Sequence, residues 1–265
     1  MAQMVFKRYE IKYQLTGAQR ERLEREMQAH MKPDEHGPST VRNIYYDTPA
    51  HLLARRSAEH PYYKEKIRIR SYGEADATTP VFLELKKKCD GIVYKRRCTL
   101  ELASAHALLM GARDPQTQIE REIAFSAGRY EGLYPAMFVA YDREAYYGNN
   151  DHEFRMTFDH AVRCRWNAIS LSGNTAGHLL TPDDQHLLEV KCAAGMPLWL
   201  AGFLSEEGIF KASFSKYGTA VAHQMETSDS WTSVRRPARA RHMAHNQTPH
   251  ALGRGLAAHS APSYL

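Results

Sequence analysis

Charged and apolar residues alternate in short runs along much of the chain, and this period of two predicts strands. In YKEKIRIRSY, residues 63–72, Lys64, Lys66, Arg68 and Arg70 share one strand face while Ile67 and Ile69 share the other. VFLELKKKC, residues 81–89, sets Glu84, Lys86 and Lys88 against Leu83 and Leu85. The same reading predicts strands at 6–15 (Arg8, Glu10 and Lys12 on one face), 40–48, 135–147, 151–159, 162–166 and 185–192. Asp90-Gly91 predicts a tight hairpin joining 81–89 to 91–100. Thr16 and Gln19 have the spacing of a capping box, which starts a helix running to about Met31 before Pro33 and Gly37 end it. A short helix or loop follows at His51–Arg56, and residues 101–130 read as helical with breaks near Gly111 and Pro115. A helix is predicted at Trp199–Gly208 and another within Lys211–Met225. From Thr227 the sequence turns to Ser, Ala, Arg, His and Pro without a sustained period, so residues 1–226 read as one folded domain and 227–265 as a disordered tail.

Composition narrows the class. With 265 residues, 43% hydrophobic and 25% charged, the chain suits a soluble globular protein. No apolar run approaches the ~18 residues of a membrane span, and the N-terminus lacks a secretory apolar core, so a cytoplasmic location is the expectation. Cys89, Cys98, Cys164 and Cys192 form no CxxC pair and no His/Cys cluster at zinc spacing. A formal charge of +5 permits an anionic ligand without requiring one.

The strand faces raise the chemical question. Arg155 alternates with Phe154 and Met156 and shares its face with Asp159, Glu189 and Lys191 lie opposite Leu188 and Val190, and Arg143 falls on the face of Tyr141. These could be solvent faces of an open antiparallel sheet. They could equally converge inside a barrel, where unpaired like charges are costly and a polyanion would neutralise them. Arginine would grip phosphate oxygens through paired donors, lysine would act as a compact charge, and carboxylates could hold a divalent cation. Alternation alone leaves both arrangements open.

Seven short motifs in order carry a resemblance: RYEIKY, KIRIR, LELKKK, YDREAY, FRMTFD, LLEVK and SKY. Together, from about Phe6 to Ala222, they resemble the VTC domain, the polyphosphate-polymerase branch of the triphosphate tunnel metalloenzymes. The resemblance implies an α+β fold built on a closed antiparallel β-barrel, or triphosphate tunnel, with surrounding helices. It implies catalytic roles for Arg68, Arg70, Lys86, Arg143, Arg155 and Glu189. Phosphate contacts are implied for Arg8, Lys12, Arg42, Lys95, Lys191, Lys211, Ser215 and Lys216. Glu189 matches the family's metal-binding carboxylate, with Glu84, Glu10 and Asp159 as further candidate ligands for Mn²⁺ or Mg²⁺. Tyr45 and Tyr94 could brace the polar layer.

The neighbouring CYTH triphosphatases carry an ExExK pattern where this chain reads Arg8-Tyr9-Glu10-Ile11-Lys12, which favours the polymerase-like branch. The implied reaction moves the γ-phosphoryl group of ATP onto phosphate, pyrophosphate, triphosphate or polyphosphate. Hydrolysis of inorganic triphosphate or nucleoside triphosphates is one alternative, and a non-catalytic polyphosphate-binding module is another. Specific nucleic-acid binding is not expected, since neither an RNP-like motif nor a stacking platform is visible.

Overall fold

The computed structural model describes residues 9–59, 62–90, 92–193 and 195–227. Arg8, Gly91 and the predicted tail beyond Thr227 lie outside the described residues. The strands are β1 (Tyr9–Thr16), β2 (Met31–Pro33), β3 (Ser39–Asp47), β4 (Tyr63–Tyr72), β5 (Pro80–Cys89), β6 (Ile92–Glu101), β7 (Tyr134–Gly148), β8 (Arg155–Arg165), β9 (His178–Leu179) and β10 (Gln185–Cys192). The helices are α1 (Gly17–Met27), α2 (Leu52–Ala58), α3 (Leu102–Leu109), α4 (Gln118–Gly128), α5 (Leu198–Glu206) and α6 (Lys216–Thr227).

All ten strands join one antiparallel sheet in the order β1-β10-β8-β7-β3-β4-β5-β6, with β2 added to β7 and β9 to β8. Local sequence explains several joints. Thr16 caps α1 in a reciprocal box, its hydroxyl accepting from Gln19 N while the Gln19 amide oxygen accepts from Thr16 N at 3.0 Å. Asp90, at φ 47°, supplies the left-handed residue that the β5–β6 hairpin needs. The two strands expected at 151–159 and 162–166 are one strand, β8. Its register against β7 shifts by one extra residue between His160 and Arg163, where Ala161 takes φ 46°. A bulge there absorbs the break in alternation without ending the pairing. β2 and β9, three and two residues long, are too short to show a period and were not anticipated.

Hydrogen bonding does not close the sheet among the described residues: β1 and β6 are its end strands, so the expected barrel closure is not seen. The free edge of β1 instead takes the segment before α6, with Tyr13 bridged to Lys211 and Ala212 N donating to Lys12 O at 2.8 Å. Even so, the sheet is strongly curled. β1 and β5 lie six places apart in strand order, about 29 Å in a flat sheet at the usual spacing. Yet the Glu10 carboxylate and the Lys86 ammonium are 3.7 Å apart.

Curling divides the hydrophobic residues into three cores. On the convex side Ile44, Ile67, Ile69, Leu83 and Leu85 pack with α3 and α4, while Leu15, Met156, Phe158, Leu188 and Val190 pack with α1 and α5. Each fully buried aliphatic side chain there contributes about 1.5–3 kcal/mol. On the concave side Val41, Val139, Tyr141, Val162 and Cys164 are covered by Tyr217, Ala220 and Val221 of α6. In β1, β4, β5 and β10 the apolar half of the alternation packs against helices on the convex side, which leaves the charged half facing inward. No helix among the described residues is long and apolar enough to cross a membrane.

Candidate functional site

The inward faces meet around a cavity of about 190 Å³. Its wall contains Glu10 and Lys12 from β1, Glu189 and Lys191 from β10, Tyr141 and Arg143 from β7, and Tyr45 from β3. Lys66, Arg68 and Arg70 come from β4, Glu84 and Lys86 from β5, and Lys95 from β6. Phe214, Ser215, Lys216 and Tyr217 close one side. The start of α6 is held there by Tyr217, which stacks on Tyr45 at 4.6 Å and donates from its hydroxyl to Asp47 Oδ2 at 2.6 Å. Asp47 in turn accepts from the amides of Leu53 and Ala54, fixing α2. Ser215 Oγ accepts from Gly218 N at 3.0 Å and from Lys66 Nζ at 2.9 Å, so the first turn of α6 is capped at the cavity wall.

Two acidic residues act as internal counter-ions. Glu84 is buried and its oxygens accept from Arg68 Nε at 2.6 Å, Arg97 Nε at 2.7 Å and Lys95 Nζ at 2.7 Å, with Arg70 at 3.8 Å. Burial works against its ionisation, but Arg68, Arg70 and Lys95 overcome it and hold the carboxyl far below the usual range. Asp159, also buried, takes both Arg143 donors at 2.6 and 2.7 Å and Lys216 at 2.6 Å. Both carboxylates are committed to cations, and their geometry is that of groups that orient arginines.

Glu189 and Glu10 are placed differently. Glu189 lies 3.2 Å from Lys12, 3.6 Å from Arg143 and 3.7 Å from Lys216, while Glu10 lies 3.7 Å from both Lys12 and Lys86. Burial, and for Glu10 also the nearby Glu189, works against ionisation, but Lys86, Lys12 and Lys191 around Glu10 and Lys216, Lys12 and Arg143 around Glu189 prevail, and both stay below the ordinary value. Among the described residues no group of three or more His, Cys, Asp or Glu could hold a metal by itself. A pair of looser carboxylates beside a cluster of cations nonetheless fits a hard divalent cation that would fill its shell with oxygens of an anionic ligand and water. Glu84 and Asp159 do not fit that role, because their oxygens are already occupied by cations.

Positive charge exceeds what these four carboxylates neutralise. Burial pushes Lys66 down to about 8, helped by Lys12, Lys86 and Lys64. Lys95 falls to about 8, burial and the neighbouring arginines prevailing over Glu84. Tyr45 also falls to about 8: burial resists, but Arg68, Lys66 and Arg70 prevail. Each shift reports the same condition, a pocket of cations waiting for negative charge.

Twelve residues expected from the sequence therefore share this wall: Glu10, Lys12, Arg68, Arg70, Glu84, Lys86, Lys95, Arg143, Glu189, Lys191, Ser215 and Lys216. Asp159 lies directly behind it through Arg143 and Lys216. Three do not join them. Arg42 sits on the opposite face from Val41 and Asn43 and donates to the carbonyls of Leu171 and Gly173 at 2.7 Å. Arg155 begins β8 on the inward face but is exposed, its Nε directed to His152 O at 3.4 Å. Lys211 is exposed and contributes its backbone to the β1 edge. Tyr94, at 48% exposure, braces nothing in the wall, whereas Tyr45 does. Lys66 and Tyr141 also line the wall, and Arg97 backs it through Glu84, although none was among the expected site residues; alternation places Lys66 with Arg68 and Arg70, Tyr141 with Arg143, and Arg97 with Lys95.

A family profile for the VTC domain matches residues 7–225. Solved structures with similar coordinates include a candidate adenylate cyclase from Bacillus halodurans, 14% identical with a TM-score of 0.48, covering 78% of this chain and 92% of that one. A candidate adenylyl cyclase from Hippeastrum, for which a dominant triphosphatase activity is described, is 18% identical with a TM-score of 0.46, covering 81% and 95%. A candidate adenylate cyclase from Vibrio parahaemolyticus is 13% identical with a TM-score of 0.46, covering 83% and 99%. No curated protein matches the sequence.

Proposed function

The chain belongs to the VTC domain family, and from that premise we propose that the cavity binds the phosphate chain of ATP and extends a phosphate or polyphosphate acceptor. The observation that carries this reading is the convergence of Arg68, Arg70, Lys86, Arg143 and Lys216 on one enclosed wall, with more cations than carboxylates. A terminal phosphate oxygen of the acceptor attacks the γ-phosphorus, the bond to the ADP oxygen breaks, and ADP leaves. Phosphate oxyanions are competent nucleophiles, so the protein's task is alignment and charge stabilisation.

Arg68, Arg70 and Arg143 are suited to the transferring phosphoryl group. Arg143 is held by Asp159, and Arg68 by Glu84, so each meets the substrate preoriented. Lys12, Lys86, Lys95, Lys191, Ser215 and Lys216 would hold the flanking phosphates. One such contact, if formed only in the transition state, contributes about 3–4 kcal/mol. Glu189 and Glu10 would hold Mg²⁺ or Mn²⁺, which when bound neutralises charge across phosphate oxygens. The low basicity of two cavity carboxylates supports extension over hydrolysis: surrounding cations hold Glu84 and Glu189 well below the usual carboxyl range, which makes both weak general bases for an attacking water.

Incubation with ATP, each metal and a pyrophosphate or polyphosphate primer, followed by electrophoretic sizing, tests the proposal. Lengthening chains are expected. Orthophosphate as sole product would make the protein a triphosphate hydrolase, and binding without turnover would make it a recognition module.

A further inference from the structure

The strands that wall the cavity continue past it at the arginine end, and there their inward side chains change from charged to aromatic. On β4 the face of Lys66, Arg68 and Arg70 goes on to Tyr72. On β5 the face of Lys86 and Glu84 goes on to Phe82, which stands directly across from Arg70. On β6 Arg97 stands across from Glu84. The proposed phosphate chemistry gives Tyr72 and Phe82 nothing to do, and uses Arg97 only as a partner of Glu84.

These three side chains are held together and held flat. Tyr72 and Phe82 meet edge to face with ring centroids 5.9 Å apart, and the Arg97 guanidinium lies over the Phe82 ring, 4.4 Å from its centroid. Glu84 takes Arg97 Nε at 2.7 Å and Nη2 at 2.5 Å, which fixes the plane of the guanidinium. Arg70 donates to the Tyr72 hydroxyl. Yet the group is not covered: Tyr72 is 49% exposed and the Arg97 side chain 36%. A packing cluster would be buried; flat groups anchored from behind and open in front are what another ring needs for stacking. At the opposite mouth of the cavity the lining carries lysines and no aromatic ring among the described residues.

We propose that Tyr72, Phe82 and Arg97 form a nucleobase shelf, on which the purine ring of ATP stacks against the Arg97 guanidinium and the Tyr72 ring while its phosphates occupy the inner cavity. This rests on the inner cavity being the phosphate site proposed above. Tyr72 stands two residues beyond Arg70, about 7 Å along the strand, which leaves room for the ribose between them. In-line transfer also sends ADP away from the side on which the acceptor attacks, so the nucleoside needs an end of its own.

Titration calorimetry on the full chain with ATP, UTP and inorganic triphosphate tests the shelf. ATP and UTP carry the same phosphate charge, so a severalfold wild-type preference for ATP reads the larger ring alone. Tyr72→Ala and Arg97→Lys are each expected to lose about tenfold on ATP and less than about twofold on triphosphate, the size of one base-stacking contact. Arg97→Lys keeps a cation beside Glu84 and removes only the flat guanidinium. Tyr72→Phe should retain the preference for ATP, because the ring and not the hydroxyl carries the stack. Equal losses on ATP and triphosphate would make the group a structural prop for Arg70 and Glu84 and overturn the shelf. No loss on either, or ATP and UTP bound alike by wild type, overturns it too, and each of these results leaves the inner site standing. If wild type binds neither ATP nor triphosphate, the inner reading itself has failed.

Discussion

Replacing Glu84 with Gln isolates the electrostatic logic of the site. The substitution keeps size and removes the charge that now faces Arg68, Arg70, Lys95 and Arg97. Breaking a buried pair by deleting one partner costs about 3–5 kcal/mol. Here Lys95 and Arg97 are 44% and 36% exposed at their side chains, so water screens part of the released repulsion and the lower end, about 3 kcal/mol, applies. For a domain of this size that is a fall of about 6–12 °C in melting temperature. Inorganic triphosphate should then stabilise the variant by more degrees than it stabilises wild type, because the ligand supplies the missing negative charge. Scanning calorimetry with and without triphosphate measures both effects. A variant that melts with wild type, or that gains no more from triphosphate than wild type does, would refute the counter-ion role.

Other outcomes follow from the same geometry. Lys66, Lys95 and Tyr45, each near 8, are partly deprotonated in the empty cavity at that pH, so triphosphate binding should make these groups take up about one to two protons at pH 8 and far fewer at pH 6.5. Calorimetry in buffers of different ionisation enthalpy reads this, and affinity should fall as pH rises from 8 to 10. Because the folded carboxyl of Glu84 is depressed, its contribution to stability is present above the unfolded value of 4.5 and is lost as pH falls toward the folded one. The acid-melting curve of Glu84→Gln should accordingly be flatter below pH 4.5 than that of wild type. Arg155→Ala should change triphosphate affinity less than about twofold, as befits an exposed group outside the cavity. Glu189→Gln should abolish metal-dependent turnover while triphosphate binding is retained.

Most of the wall was legible because strand alternation states which side chains travel together. Lys66, Arg68 and Arg70 had to share a face, and so did Glu84, Lys86 and Lys88; those faces do line the cavity and its mouth. Alternation could not say whether a face points inward, since that depends on helices packing against its opposite side, a tertiary event. It also could not give the depth of a residue along the path. Arg155 is on the inward face of β8 and stands opposite Lys191, which lines the cavity, yet its own side chain is exposed and turns toward the His152 carbonyl, which register alone does not reveal. Arg42, implied by the resemblance, falls on the other face: in TVRNIYYDT the inward residues are Val41, Asn43 and Tyr45, so alternation places Arg42 outside the cavity. The roles of Glu84 and Asp159 needed distances, because a carboxylate that holds a metal and one that orients arginines have the same sequence signature.

If the ionic faces of β1, β4, β5, β7 and β10 enclose one anion path, a crystal of the protein soaked with inorganic triphosphate will show phosphate density between Arg68, Arg70, Arg143 and Lys216. Phosphates bound only on the outer surface, with that cavity holding none, would rule the path out.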